Sequence, residues 1–252
     1  MSTTICTLLY GDHPRLAARL LSSLEHRAIK QLPVRIGLNE PSPQVLEIVR
    51  TFYDAQADRR VDFVHSPVNR FKYPVMRDLI HGTAKLEPIM SDYVMWFDDD
   101  SWLFSTAPAN WLSRVESAMM QSDMIGSLWI KDLEPEQIEF FREQSWYCKR
   151  PIHHRARFIT GGWWTIRTKI LQKHDWPATD IIHNGGDVAL GVLCDQQGYS
   201  LGVFTDSLGI NADDTGRCSS AKRRGASQPA YGTRRWQELR YAQLSAARHS
   251  AI

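Results

Sequence analysis

A chain of 252 residues with 43% hydrophobic and 23% charged side chains is long enough to bury a full core and short enough to do so as one domain. Its 30 Lys and Arg against 28 Asp and Glu leave a formal net charge of +2, which excludes a disordered polyelectrolyte. The scattered cysteines, Cys6, Cys148, Cys194 and Cys218, form no Cys-x-x-Cys pair and exclude a disulfide-dense framework.

Residues 5–10 are a short apolar run ending in Gly-Asp-His-Pro, and Leu16, Ala17, Leu20, Leu21 and Leu24 then recur at helical spacing, which predicts strand, loop, helix. Residues 34–38 predict a second strand, closed by the turn formers of 39–43 and followed by the helical pattern of Val45, Ile48, Val49 and Phe52. A third strand is expected at 61–65, a helix at 73–81 and a fourth strand at 92–97. Further on, the pattern predicts a helix at 110–121, strands at 124–130 and 158–166, an acidic amphipathic stretch at 134–143, a helix after Gly186 and a late strand at 199–204. Strands alternating with helices at this spacing predict an α/β sandwich with a mostly parallel central sheet, because parallel strands need crossover helices. Ligands in such sheets bind beyond the carboxyl ends of the strands, so the loops after Tyr10, Leu38, His65 and Phe97 should line one rim.

After Asp214 the sequence carries eight Lys or Arg, among them Arg217 and Arg223, against the single acid Glu238. This basic end could meet a polyanion, and its Gly, Ser and Arg content from 209 to 232 reads as a loop that is mobile without a ligand. The N-terminus shows no charged leader before an apolar run, and no stretch approaches the ~20 apolar residues of a membrane span, so a cytoplasmic location and no membrane span are expected.

The fourth strand runs into Asp98-Asp99-Asp100. Burying carboxylates without a partner is costly, so a strand end that carries three of them points to a cation or to solvent. Asp98 and Asp100 are hard oxygen ligands suited to Mg²⁺ or Mn²⁺; an acidic turn is the other reading of the same residues. Just upstream, Arg70, Lys72 and Arg77 bring cations toward the rim, where they could counter a diphosphate. Gly161 and Gly162 would let backbone approach a ligand, and Trp163 or Trp164 offers a stacking face or packs in the core. Asp187 follows a Gly-Gly turn at the start of an apolar helix, where a carboxylate is either functional or a cap.

Taken in order, these segments resemble the GT-A glycosyltransferases, most closely the family 2-like members, over most of the chain from Ile5 to Phe204. The resemblance implies a GT-A (Rossmann-like) α/β/α sandwich over residues 1–208, with a nucleotide-sugar-binding half at 1–105, an acceptor-side half at 106–208, and a basic C-terminal loop and helix at 209–252. It implies a divalent cation, Mn²⁺ or Mg²⁺, on Asp98 and Asp100, and a nucleotide-diphosphate sugar gripped by Tyr10, Asp12, Asn69, Lys72, Arg77, Asp98 and Asp99, with Arg217 and Arg223 reaching in from the basic end. Gly161, Gly162, Trp163 and Trp164 match the family's acceptor-side motif, and Asp187 matches its catalytic base. The glutamate expected before that base is Gly186 here, which leaves His183 as a candidate substitute. The implied reaction is metal-dependent, inverting transfer of a sugar to a hydroxyl of a saccharide or of a hydroxymethylated base in DNA, the latter through the basic C-terminal segment. The rival readings are a nucleotidyltransferase, against which stands the lack of a glycine-rich phosphate loop after the first strand, and a non-catalytic nucleic-acid-binding protein.

Overall fold

The structure is a computed structural model that describes residues 1–181 and 185–212; His183, Arg217 and Arg223, like the rest of the basic C-terminal segment, lie outside the described residues. Its elements in chain order are β1 (Thr3–Tyr10), α1 (Pro14–Leu24), β2 (Val34–Asn39), α2 (Pro43–Asp54), β3 (Val61–Ser66), α3 (Lys72–His81), β4 (Tyr93–Asp98), β5 (Trp102–Leu103), α4 (Trp111–Gln121), β6 (Met124–Asp132), α5 (Pro135–Arg142), β7 (Arg155–Arg167), α6 (Thr168–Lys173), α7 (Gly186–Gln197), β8 (Leu201–Val203) and β9 (Leu208–Gly209).

Seven strands form one sheet in the order β3-β2-β1-β4-β7-β6-β8, with β5 and β9 as a separate pair. The strands β3, β2, β1 and β4 run parallel, β7 is antiparallel to both β4 and β6, and β8 is parallel to β6. The expected mostly parallel sheet is therefore present, with β7 as its one reversed strand. Two apolar clusters cover its two faces. Tyr93, Met95 and Phe97 of β4 join α1, α2 and α4 on one face, while Val94 and Trp96 join α3, α6 and α7 on the other. This explains why the strands read as continuous apolar runs: a strand covered on both sides has no polar face to alternate with.

The pairing of β6 and β7 carries the detail that matters for the site. Leu128 pairs with Ile159 and Gly126 with Trp164, so Ser127 alone stands opposite residues 160–163. The surplus residues of β7 bulge out of the ladder and free their backbone groups for other partners. The shortest elements were not legible, because a pattern must repeat to be seen: β5, β9 and α6 have two, two and six residues. The β9 strand spans the boundary expected at 208/209, and beyond it Asn211 N donates to Ser101 Oγ at 3.1 Å.

Candidate active site

The turn that ends β4 sits on the carboxyl rim of the parallel strands. Ser101 N donates to Asp98 O at 3.0 Å, which closes a turn over residues 98–101 and ends the strand alternation at Asp98. Register sets Leu8 beside Asp98, so Tyr10 and Asp12 follow on the same rim. Tyr10 packs edge-on against the buried His13 ring at 5.1 Å, and Asp12 is exposed. Asp99 and Asp100 are only 5% and 8% exposed within the turn.

Lys72, the first residue of α3, reaches this turn from the next loop along. Its Nζ donates to Asp98 Oδ2 at 2.6 Å and to Gly161 O at 3.2 Å. Asp98 Oδ1 accepts from Trp96 Nε1 at 2.7 Å. Burial pushes the Asp98 carboxyl up, Lys72 pulls it down and Asp100 pushes it up again, with a net rise above the ordinary carboxylate range. The ammonium lies 5.6 Å from the Trp96 ring and 5.8 Å from the Tyr73 ring, an aromatic setting that favours a cation.

The loop that delivers Lys72 is set by Asn39 at the end of β2. Asn39 Oδ1 accepts from Arg70 N at 2.8 Å, and its Nδ2 donates to Asn69 Oδ1 at 3.0 Å, which also accepts from Phe71 N at 2.8 Å. Phe71 is held at φ 66°, a region costly for a residue with a side chain, immediately before Lys72.

Asp187 arrives from the far half of the chain as the second residue of α7. Its Oδ1 accepts from Val188 N at 2.9 Å, and its backbone N donates to Tyr73 OH at 3.0 Å. Gly161 is where these groups meet. A Cβ there would stand 2.8 Å from Lys72 Nζ, 3.7 Å from Asp98 Oδ2 and 3.8 Å from Asp187 Oδ2. Only a glycine leaves room for the ammonium. Gly186 has an equally local cause, since any Cβ at that position would overlap the Tyr73 ring. The phenol of Tyr73 stays protonated, because burial, then the charges of Asp187 and Asp98, raise it well above its ordinary value.

The structure thus brings Lys72, Asp98, Gly161 and Asp187 together and corrects two expectations. Arg77 does not face the rim. Its guanidinium donates to Pro177 O at 2.7 Å and to Asp175 Oδ1 at 2.7 Å, which fastens α3 to the loop after α6. Trp163 and Trp164 offer no stacking face, being 0% and 2% exposed. Adjacent residues of a strand point to opposite sides, and both sides are covered. Trp163 accordingly packs with Trp111 at 5.9 Å and Phe204 at 5.8 Å, and Trp164 stacks on Trp96 at 5.8 Å. Gly162 is filled against the Asn211 amide. Tyr73, Asn39 and Asn211 escaped the sequence reading, because each matters through a partner distant in the chain; Trp96, bonded to Asp98 two residues on, read only as part of an apolar strand.

For a divalent cation the turn offers Asp98 and Asp100 as oxygen donors. Among the described residues no cluster of three or more His, Cys, Asp or Glu could hold a metal by itself. Mg²⁺ or Mn²⁺ at a nucleotide site needs only one or two carboxylates, with phosphates and water completing the shell, so the donor set fits.

No protein-family model matches the chain, and no curated protein matches it in sequence. Solved structures do match in shape. The mannosyltransferase PcManGT from Pyrobaculum calidifontis, in complex with GDP-Man and Mn²⁺, is 13% identical with a TM-score of 0.59 over 96% of this chain and 68% of its own. GalNAc-T7 with UDP, GalNAc and Mn²⁺ is 10% identical at 0.55 over 84% and 42%, and S. aureus TarS 1–349 with UDP is 14% identical at 0.51 over 82% and 58%. The chain therefore spans little more than two thirds of the first and about half of the others. At this level of identity the likeness establishes the architecture: the chain has the GT-A fold.

Proposed function

We propose that this chain is a metal-dependent glycosyltransferase that moves a sugar from a nucleotide-diphosphate donor to a hydroxyl acceptor with inversion. The observation that carries the reading is the convergence of Lys72, Asp98 and Asp187 on Gly161, at the carboxyl rim of the parallel strands where ligands of such sheets bind, in a fold shared with neighbours in complex with GDP-Man and with UDP. A cation on Asp100, with Asp98 beside it, would offset the charge growing on the departing diphosphate.

The chain's own residues supply the rest. Asp98 fixes Lys72, and the ammonium adds positive charge near the leaving phosphates. Asp187 Oδ2 takes the proton of the acceptor hydroxyl as its oxygen bonds to the anomeric carbon. The bond from that carbon to the diphosphate breaks on the opposite face, and the nucleoside diphosphate leaves with the electron pair. Tyr10 and Asp12, on the same rim, would contact the nucleoside. Asn211 N bonds Ser101 Oγ, which ties the end of the described chain to the acidic turn; Arg217 and Arg223, proposed to meet the diphosphate, lie beyond it, outside the described residues.

The test is a thermal-shift screen of nucleotide sugars with and without Mn²⁺. A ligand at a hundred times its Kd stabilises the folded state by about 2.7 kcal/mol. Asp100→Ala should lose the Mn²⁺-dependent shift and all transfer. Asp187→Asn should keep the shift while transfer falls by about 10²- to 10⁴-fold. A wild-type chain that no nucleotide sugar stabilises would remove the assignment.

A further inference from the structure

The helix that carries Asp187 begins without a cap of its own. The first backbone N–H groups of any α-helix have no partner inside it, a need that a Ser, Thr, Asp or Asn side chain at the N-cap usually meets. The N-cap of α7 is Gly185, held at φ 89°, a left-handed conformation that favours glycine and leaves no side chain to cap with. Gly186 after it is buried, so water is shut out there.

Two groups serve the first turn instead. Asp187 Oδ1 accepts from Val188 N at 2.9 Å, which leaves Oδ2 as the oxygen turned to Gly161. Tyr73 OH accepts from Asp187 N at 3.0 Å, so the phenol does from α3 what an N-cap side chain does in other helices. It keeps its proton and is a neutral acceptor, whereas a carboxylate in its place would set a third negative charge near Asp187 and Asp98.

The surroundings leave the phenol one place to stand. Tyr73 is 3% exposed, lies edge-on to Trp176 at 5.9 Å and fills the space that a Cβ on Gly186 would need. Trp176 is in turn fastened to α3: His81 Nε2 donates to Trp176 O at 2.8 Å, and Arg77 donates to Pro177 O and Asp175 Oδ1 on either side of it. Lys72, the residue before Tyr73, holds Asp98 from the same turn of α3. One helical turn therefore grips the acidic turn with one side chain and the start of α7 with the next.

We infer that Tyr73 is a positioning residue, whose hydroxyl caps α7 from α3 and so holds the Asp187 carboxylate in place beside Lys72 and Asp98. The positioning role rests on the glycosyltransferase reading, because it acts through the base proposed above; the cap itself does not.

The experiment is Tyr73→Phe in the full chain, which keeps the ring over Gly186 and removes only the acceptor oxygen. Hydrogen exchange followed by mass spectrometry should show residues 186–189 exchanging at least tenfold faster than in the wild type, with the last turn of α7 unchanged. Turnover is read as nucleoside diphosphate released from a panel of UDP-, GDP-, ADP- and dTDP-sugars with Mn²⁺. The kcat should fall about 10- to 100-fold, with the donor KM and the donor thermal shift unchanged. A hydroxyl that served stability alone would lower the melting temperature and leave kcat where it was. Unchanged exchange in the first turn overturns the cap. Faster exchange with an unaltered kcat, or a donor KM that rises as kcat falls, overturns the positioning of Asp187. A wild type that no nucleotide sugar stabilises takes away the transferase, and the positioning role with it, and leaves the cap, which exchange alone decides.

Discussion

At the scale of single residues, the candidate site is arranged around an absence. Gly161 lies in the bulge of β7, its carbonyl accepts from Lys72, and the space a methyl group would occupy is taken by the ammonium 2.8 Å away. Lys72 is the far end of a flexible chain and can retreat, so Gly161→Ala should fold. The retreat would break the 2.6 Å contact with Asp98 and carry the positive charge away from the proposed position of the leaving phosphates. We expect Gly161→Ala to leave the melting temperature within a few degrees of wild type and to lower kcat at least tenfold, measured by steady-state transfer. An unchanged kcat would show that Lys72 does not act where it is placed. The sequence named Lys72, Asp98, Gly161 and Asp187 because charge and glycine stand out against apolar neighbours. It misassigned Arg77 and the paired tryptophans, because which side of a helix or strand faces solvent depends on what the rest of the chain lays against it. Tyr73 was invisible for the same reason: its hydroxyl accepts from Asp187 N, a partner 114 residues away.

At the scale of elements, the antiparallel half of the sheet hangs on one carboxylate. Asp123, just before β6, accepts from Arg167 Nε at 3.0 Å at the end of β7 and from Ser200 N and Oγ, each at 3.0 Å, just before β8. Partial burial raises its pKa, but the Ser200 amide and hydroxyl and Arg167 outweigh this and hold the carboxyl below its ordinary value. A depressed folded pKa adds stability that is complete above the unfolded value of about 3.9 and fades as pH falls through the lower folded value. Asp123→Ala should therefore cost about 2 kcal/mol in urea denaturation at pH 7, as for hydrogen bonds to a charged group. The difference from wild type should shrink as the pH falls below the unfolded value and through the lower folded one, where the native carboxyl takes up its proton. A difference that stays constant throughout that acid range would mean that packing, not charge, fastens the three strands. Nothing in the local pattern announces this tie. Ser-Asp before an apolar run reads as an ordinary turn until β7 and β8 are set beside it.

At the scale of the whole molecule, the halves expected at 1–105 and 106–208 share a core. Cys6 of β1 and Cys194 of α7, one from each half, belong to the same apolar cluster, and both are fully buried. Burial raises the Cys6 thiol to about 12 against the pull of Arg35, and raises Cys194 to about 12 with Asp123 and Asp195 adding to it. Since the thiolate is the nucleophile, neither should react with iodoacetamide at pH 8 until the core opens, whereas the exposed Cys148 should react in the native state. If the sheet binds the halves into one cooperative unit, Cys6 and Cys194 should become labelled at the same urea concentration, read peptide by peptide by mass spectrometry. Labelling of Cys194 at distinctly lower urea than Cys6 would mean that the later half of the chain opens by itself. In that event Asp187 and Lys72, which come together beside Gly161, would be joined across two independently moving parts. A shared midpoint instead makes the approach of the two groups a property of the folded sheet, present before any donor or acceptor binds.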